Sequence, residues 1–160
     1  MTIYWVDSNV FIEAKAGPYK FKVAPSFWKH IDEMLEKKVI FSSEMVYKEL
    51  IGYGDDLSKW LKPRKQNGLC IPLTEDIEIQ FTNIANHVVH RYDEANAADF
   101  LKGADGWLIA HGLQTKGIVV SQESKHHPNA QKARIPDVCK QFNIECIDMY
   151  EMLSQQGAVL

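Results

Sequence analysis

Two short apolar runs in this chain stop at an acidic residue. Residues 3 to 6, Ile-Tyr-Trp-Val, run straight into Asp7, with Asn9 two places further on. Residues 117 to 121, Gly-Ile-Val-Val-Ser, are followed closely by Glu123. A short apolar run bounded by polar residues is the pattern of a strand buried on both faces, as in a parallel sheet. A carboxylate where such a strand ends faces the crevice outside the carboxyl edge of the sheet, where open α/β folds bind their ligands.

The remaining segments alternate between helical and extended patterns. Turn chemistry at Ala16-Gly17-Pro18-Tyr19 is followed by a helix expected to start near Ser26 after Pro25, with Ser26 as its N-cap and Phe27, Ile31, Met34 and Leu35 on one face. Val39-Ile40-Phe41 is a second strand, and Ser42-Ser43 caps a helix that carries Glu49 on its last turn. A helix after Gly54-Asp55-Asp56 is expected to end near Leu61, broken by Pro63. Leu69 to Leu73 is an extended segment, placed at a sheet edge by Pro72.

Thr74-Glu75-Asp76 opens a long helix to Arg91-Tyr92, and residues 93 to 100 form a short helix or loop. Asp105 stands in the first turn of a helix that Gly117 terminates. After the strand at 117 to 121 comes an exposed basic loop, residues 124 to 134, then a helix from Ile135 to Phe142, a strand at Cys146-Ile147-Asp148 and a closing helix from Met149. Strands alternating with helices predict an α/β fold, a three-layer α/β/α sandwich around a central, mostly parallel sheet. With 160 residues and no linker or repeat, the expectation is a single domain over residues 1–160.

The balance of 18 Lys and Arg against 21 Asp and Glu does not announce a nucleic-acid binder, although metal ions can supply positive charge at an acidic site. The three cysteines, Cys70, Cys139 and Cys146, are odd in number and scattered, as expected of free thiols in a reducing compartment. The N-terminus lacks the pattern of a signal peptide, and no apolar run reaches the roughly 18 residues a membrane span needs. A cytoplasmic protein with no membrane contact is therefore expected.

Each acidic residue has an ordinary reading on its own: Asp105 as a helix N-terminal charge, Glu49 as a solvated helix residue, Glu123 as a loop residue. Their order suggests more. The strand ending Val6-Asp7-Ser8-Asn9-Val10-Phe11-Ile12, the helical Glu in Val46-Tyr47-Lys48-Glu49-Leu50, the helix opening Ala104-Asp105-Gly106-Trp107-Leu108-Ile109-Ala110, and Val119-Val120-Ser121-Gln122-Glu123 follow one another along the chain. This pattern resembles the PIN-domain nucleases, especially their small toxin-type, VapC-like members. The resemblance spans essentially the whole chain. It departs from the family at Ser121, where Thr is usual, and at Glu123, where Asp is usual.

The resemblance implies a PIN-like fold and a metal-dependent endoribonuclease, the toxin of a toxin–antitoxin pair. Its expected partners are an RNA substrate, a cognate antitoxin protein and a second copy in a homodimer. Three or four carboxylates in one site cannot all stay ionised without cations between them, and hard oxygen donors suit Mg²⁺ or Mn²⁺. Asp7, Glu49, Asp105 and Glu123 are then the catalytic and metal-binding candidates, with Glu123 on a second ion or a bound water. Asn9 would orient Asp7 or the scissile phosphate, and Ser121 would position the loop that carries Glu123.

Other groups carry weaker signals. Lys125, Lys132 and Arg134, with His126 and His127, form either a solvated loop or an RNA-backbone contact. Lys59, Lys62, Arg64 and Lys65 around Trp60 offer the same choice. His87 and His90, three apart, could begin a zinc site but lack a third placed ligand. His111 is expected to be partly buried and hydrogen-bonded, and Asp99 to lie at the surface, with a role as an extra acidic neighbour as its alternative. Two further functional classes compete: an aspartyl-phosphate phosphotransferase of the haloacid-dehalogenase type, which wants Asp where this chain has Asn9, and a catalytically silent PIN-like binding module.

Overall fold

The computed structural model describes residues 1–123 and 129–160. Among the described residues the order is β1 (Tyr4–Val6), α1 (Ser8–Ala16), α2 (Pro25–Glu36), β2 (Ile40–Ser43), α3 (Glu44–Ile51), α4 (Asp56–Gln66), β3 (Cys70–Ile71), α5 (Glu75–Arg91), α6 (Glu94–Lys102), α7 (Asp105–Thr115), β4 (Ile118–Val120), α8 (Ile135–Gln141), β5 (Cys146–Ile147) and α9 (Met149–Gln155). The fold is α/β, with a central sheet flanked by helices in the manner of a three-layer α/β/α sandwich. All five strands are parallel and ordered β3-β2-β1-β4-β5. β1 is therefore central, and the chain switches direction across the sheet between β1 and β4. Asp7 follows the first of these strands and Glu123 the second.

The sheet core follows from the apolar runs. Tyr4, Trp5 and Val6 are buried, as are Val119 and Val120 beside them. Helix α7 lies against β1, β2 and β4, and α5 packs over α7. Two glycines permit this closeness. A Cβ on Gly112 would come within 2.9 Å of the Val119 side chain. A Cβ on Gly117 would meet the Trp5 indole at 2.8 Å and the Ile3 carbonyl at 3.0 Å. Gly117 is thus required by packing, while the left-handed residue that ends α7 is Lys116, at φ 57°.

Three local expectations change. Helix α2 begins at Pro25 with Ala24 as N-cap, and no side chain caps it. Proline's fixed φ starts the helix, and Ser26, already inside, has no capping role. Helix α4 continues through Pro63 to Gln66. The missing Pro63 N–H costs one helical bond, but the next residue anchors the last turn. Arg64 donates to both carboxylate oxygens of Asp32 on α2, at 2.6 and 2.8 Å, and to the Trp60 carbonyl at 2.7 Å. Finally, β2 extends to Ser43, which still caps α3 by accepting from the Met45 N–H. β3 does lie at the sheet edge. No helix among the described residues is long and apolar enough to cross a membrane.

Candidate active site

The site is built at the carboxyl ends of β1 and β4. The Asp7 N–H still belongs to the sheet, donating to the Val120 carbonyl at 3.0 Å, while the Asp7 carbonyl accepts the first bond of α1 from Val10. The Asp7 side chain caps α1 by accepting from the Ser8 N–H at 2.8 Å. Only 2% of Asp7 is exposed, so its charge has little access to water.

Two glutamates reach the same region from other elements, each holding the start of a helix. One Glu49 carboxylate oxygen accepts from the N–H of Ala104, the N-cap residue of α7, at 3.0 Å. One Glu123 oxygen accepts from the N–H of Ile135, the first residue of α8, at 2.8 Å. Neither Ala104 nor Arg134 caps its own helix. A carboxylate there satisfies an otherwise open donor and faces the positive end of the helix dipole. Asp105 is the first residue of α7 and completes the group.

The four carboxylates act on one another. Burial raises the Asp7 carboxyl to about 7 against the favourable bond from Ser8, and the Glu123 and Glu49 charges add to the rise. Burial likewise raises Asp105 to about 8, helped by the charges of Asp7, Glu123 and Glu49 and opposed by Lys132. At neutral pH Asp7 and Asp105 are therefore not both fully ionised.

Asp105, Glu123 and Asp99 border one cavity of about 470 Å³, together with Lys132 and Arg134. Asp99, expected at the surface, thus also flanks the site, where it pairs with Lys102 at 3.1 Å. The carboxylates are not gathered as a closed ligand set. Among the described residues no three His, Cys, Asp or Glu side chains stand together as a metal-holding group. Both glutamates are drawn back onto backbone N–H groups.

Asn9 has a clear structural task. Its side-chain oxygen accepts from the Gln122 N–H at 3.0 Å, and its amide donates to the Ser121 hydroxyl oxygen at 3.4 Å. That same hydroxyl oxygen accepts from the Glu123 N–H at 3.2 Å. Asn9 and Ser121 together fix the segment that presents Glu123. Asn9 was expected to orient Asp7 or a phosphate; the bonds it makes among the described residues are to this segment. Gln122, which no motif singles out, accepts from the Met149 N–H at 2.7 Å and ties the segment to α9.

Several weaker candidates resolve differently. Lys125, His126 and His127 lie outside the described residues. Around Trp60, Arg64 is paired with Asp32 and stacked on the indole, and Lys65 lies over the Tyr47 ring. Those two cations are committed to packing. His87 packs edge-on against Phe142, and the His90 ring nitrogen faces the Asn86 carbonyl of its own helix. His111 is fully buried and stacked 4.4 Å from Trp5. Its Nε2 lacks a hydrogen-bond partner among the described residues, and burial lowers it to about 4. Partial burial with a hydrogen bond was expected; the ring is instead fully buried, and Nε2 has no partner among the described residues. Cys70, Cys139 and Cys146 are free thiols.

The sequence profile of a family described as a domain of unknown function (DUF4411) matches residues 4–160. None of the curated proteins matches the chain.

Proposed function

We propose that this chain, which belongs to the DUF4411 family of unknown function, is a metal-dependent endoribonuclease that hydrolyses RNA phosphodiester bonds. The observation that carries this reading is the mutual effect of Asp7, Glu49, Asp105 and Glu123 at the β1–β4 switch point, where two buried carboxyls are held near neutral pKa. Such a cluster is electrostatically incomplete without a cation. The donors are carboxylate oxygens, which fit Mg²⁺ or Mn²⁺.

Asp7, Glu49 and Asp105 would hold the metal, and Glu123 a second ion or a bound water. When bound, the metal supplies an activated water and stabilises charge developing at phosphorus. Asp7 and Asp105 give up their protons on loading, so affinity rises with pH. Glu49 and Glu123 remain anchored through one oxygen each while the other is offered to the site. Asn9 and Ser121 hold Glu123 in place. Lys132, close enough to affect Asp105, would contact the RNA backbone together with Arg134 and Lys125.

The toxin role, the cognate antitoxin and the homodimer rest on the sequence resemblance to small PIN-domain toxins and belong to the same proposal. One observation favours a second reading, a catalytically silent binding module: the carboxylates are not gathered into a ready ligand set among the described residues. Titrating Mn²⁺ while following the melting temperature and the cleavage of total cellular RNA separates the two. The nuclease reading expects both to respond to Mn²⁺ and both responses to vanish in Asp105→Asn. A protein that neither melts higher nor cuts RNA with Mn²⁺ present is a binding module.

A further inference from the structure

The free edge of the sheet at β5 opens onto a groove of about 650 Å³ between α8 and α9. β5 uses one side of its backbone on β4. Val119 donates to the Glu145 carbonyl and Ser121 to the Ile147 carbonyl, both at 2.9 Å. In a trans peptide the N–H points opposite to the carbonyl of the same unit. The N–H groups of Cys146 and Asp148 therefore point away from β4, into the open edge. The Cys146 carbonyl does the same, because strand backbone groups alternate sides. These three groups lie outside the β4–β5 ladder and form a template for one more strand.

The groove's chemistry selects the strand. Its floor is apolar, with Ile144, Ile147 and Pro136, and among the described residues its rim carries Glu123, Glu145, Asp148 and Glu151 beside Lys140. Asn143, Ile144 and Glu145 also border a neighbouring hollow of about 470 Å³. Among the described residues this excess of carboxylates, chiefly Glu145, Asp148 and Glu151, disfavours a phosphate backbone. They attract an extended segment that alternates apolar and basic side chains, apolar on the floor and basic on the rim.

We infer that the β5 edge is a docking site for a basic, extended segment of a partner protein, which adds a sixth strand to the sheet. The partner is recognised by main-chain hydrogen bonds to Cys146 and Asp148 and by charge pairing with Glu145 and Glu151. The site adjoins the carboxylate cluster at Glu123 but needs no metal.

The test uses the intact chain and a fluorescent decapeptide of alternating lysine and valine. Binding is followed by anisotropy, and amide exchange by nuclear magnetic resonance. The expected result is saturable binding, with the Cys146 and Asp148 amide hydrogens exchanging about tenfold more slowly in the complex. The double variant Glu145→Lys with Glu151→Lys, both exposed positions, weakens binding about tenfold or more, whereas Glu75→Lys with Asp76→Lys on distant α5 does not. A peptide N-methylated at alternate residues keeps its charge and loses affinity, which tests the backbone contacts with the protein unchanged. Absence of binding overturns the inference. So does equal loss in the α5 variant, equal binding of a glutamate–valine peptide or of the N-methylated peptide, protection at the β3 edge, or protection of the same amides by a uridine oligonucleotide.

Discussion

Asp7 and Asp105 pay a cost for their position that is measurable as a pH dependence. Their carboxyls sit at about 7 and about 8 in the folded chain against an ordinary 3.8, chiefly through burial. Between those limits the folded state holds protons that the unfolded chain has lost. Stability is then fully present below the unfolded value and falls as pH rises through the folded values. The metal-free protein is predicted to melt several degrees lower at pH 8 than at pH 5, on the scale of about 2–4 °C per kcal/mol. Asp7→Asn and Asp105→Asn each flatten that slope, because an amide carries no charge to desolvate. A melting temperature unchanged or rising over this range in chelator, or variants with the wild-type slope, would show that the two carboxyls are not held protonated. None of this was visible in the motif: the sequence placed Asp7 at a strand end, while its proton depends chiefly on burial and also on Glu49 and Glu123, far along the chain.

At the scale of the elements, helix N-termini organise the site. Asp7 caps α1, Glu49 reaches the start of α7, and Glu123 reaches the start of α8. Glutamine at either glutamate position keeps an acceptor oxygen and removes the charge. Glu49→Gln is predicted to melt within a few degrees of wild type, whereas Glu49→Ala loses about 1–2 kcal/mol with the bond to Ala104. The nuclease reading expects both variants to lose cleavage activity. Equal melting temperatures for Gln and Ala would mean that the bond to Ala104 holds nothing. Helix α4 gives a second case. Asp32→Ala removes the carboxylate that Arg64 grips behind Pro63 and is predicted to cost about 1 kcal/mol, read in denaturant melts. No loss would show that α4 passes Pro63 without this anchor.

The strands, the long helix α5 and the order of acidic residues were legible because short apolar runs and helical periodicity are local signals. The continuation of α4 was not, because the bond that rescues Pro63 comes from Asp32, far away in sequence. The roles of Asn9 and Gln122 were hidden for the same reason, since their partners, Gln122 and Met149, are set by the sheet order. Lys116 taking the left-handed turn beside Gly117 shows the limit of reading a glycine as a stop.

Across the whole molecule, the parallel sheet with its switch between β1 and β4 brings four carboxylates from distant segments close enough to raise the Asp7 and Asp105 carboxyls. Their chemistry is consistent with a cation site that Asp7, Glu49, Asp105 and Glu123 would hold. At a hundredfold excess of Mn²⁺ over its dissociation constant, binding adds about 2.7 kcal/mol, or roughly 5–10 °C in melting temperature. Asp7→Asn and Asp105→Asn are predicted to abolish the rise.

Cleavage of total cellular RNA in Mn²⁺ by the wild-type chain and by Asp7→Asn, compared at matched folded concentration with cut sites mapped, is the most direct measurement. The nuclease reading predicts discrete cuts that disappear in chelator and fall by about a hundredfold or more in Asp7→Asn. Intact RNA with the wild-type chain in Mn²⁺, or equal cutting by the variant, would contradict it.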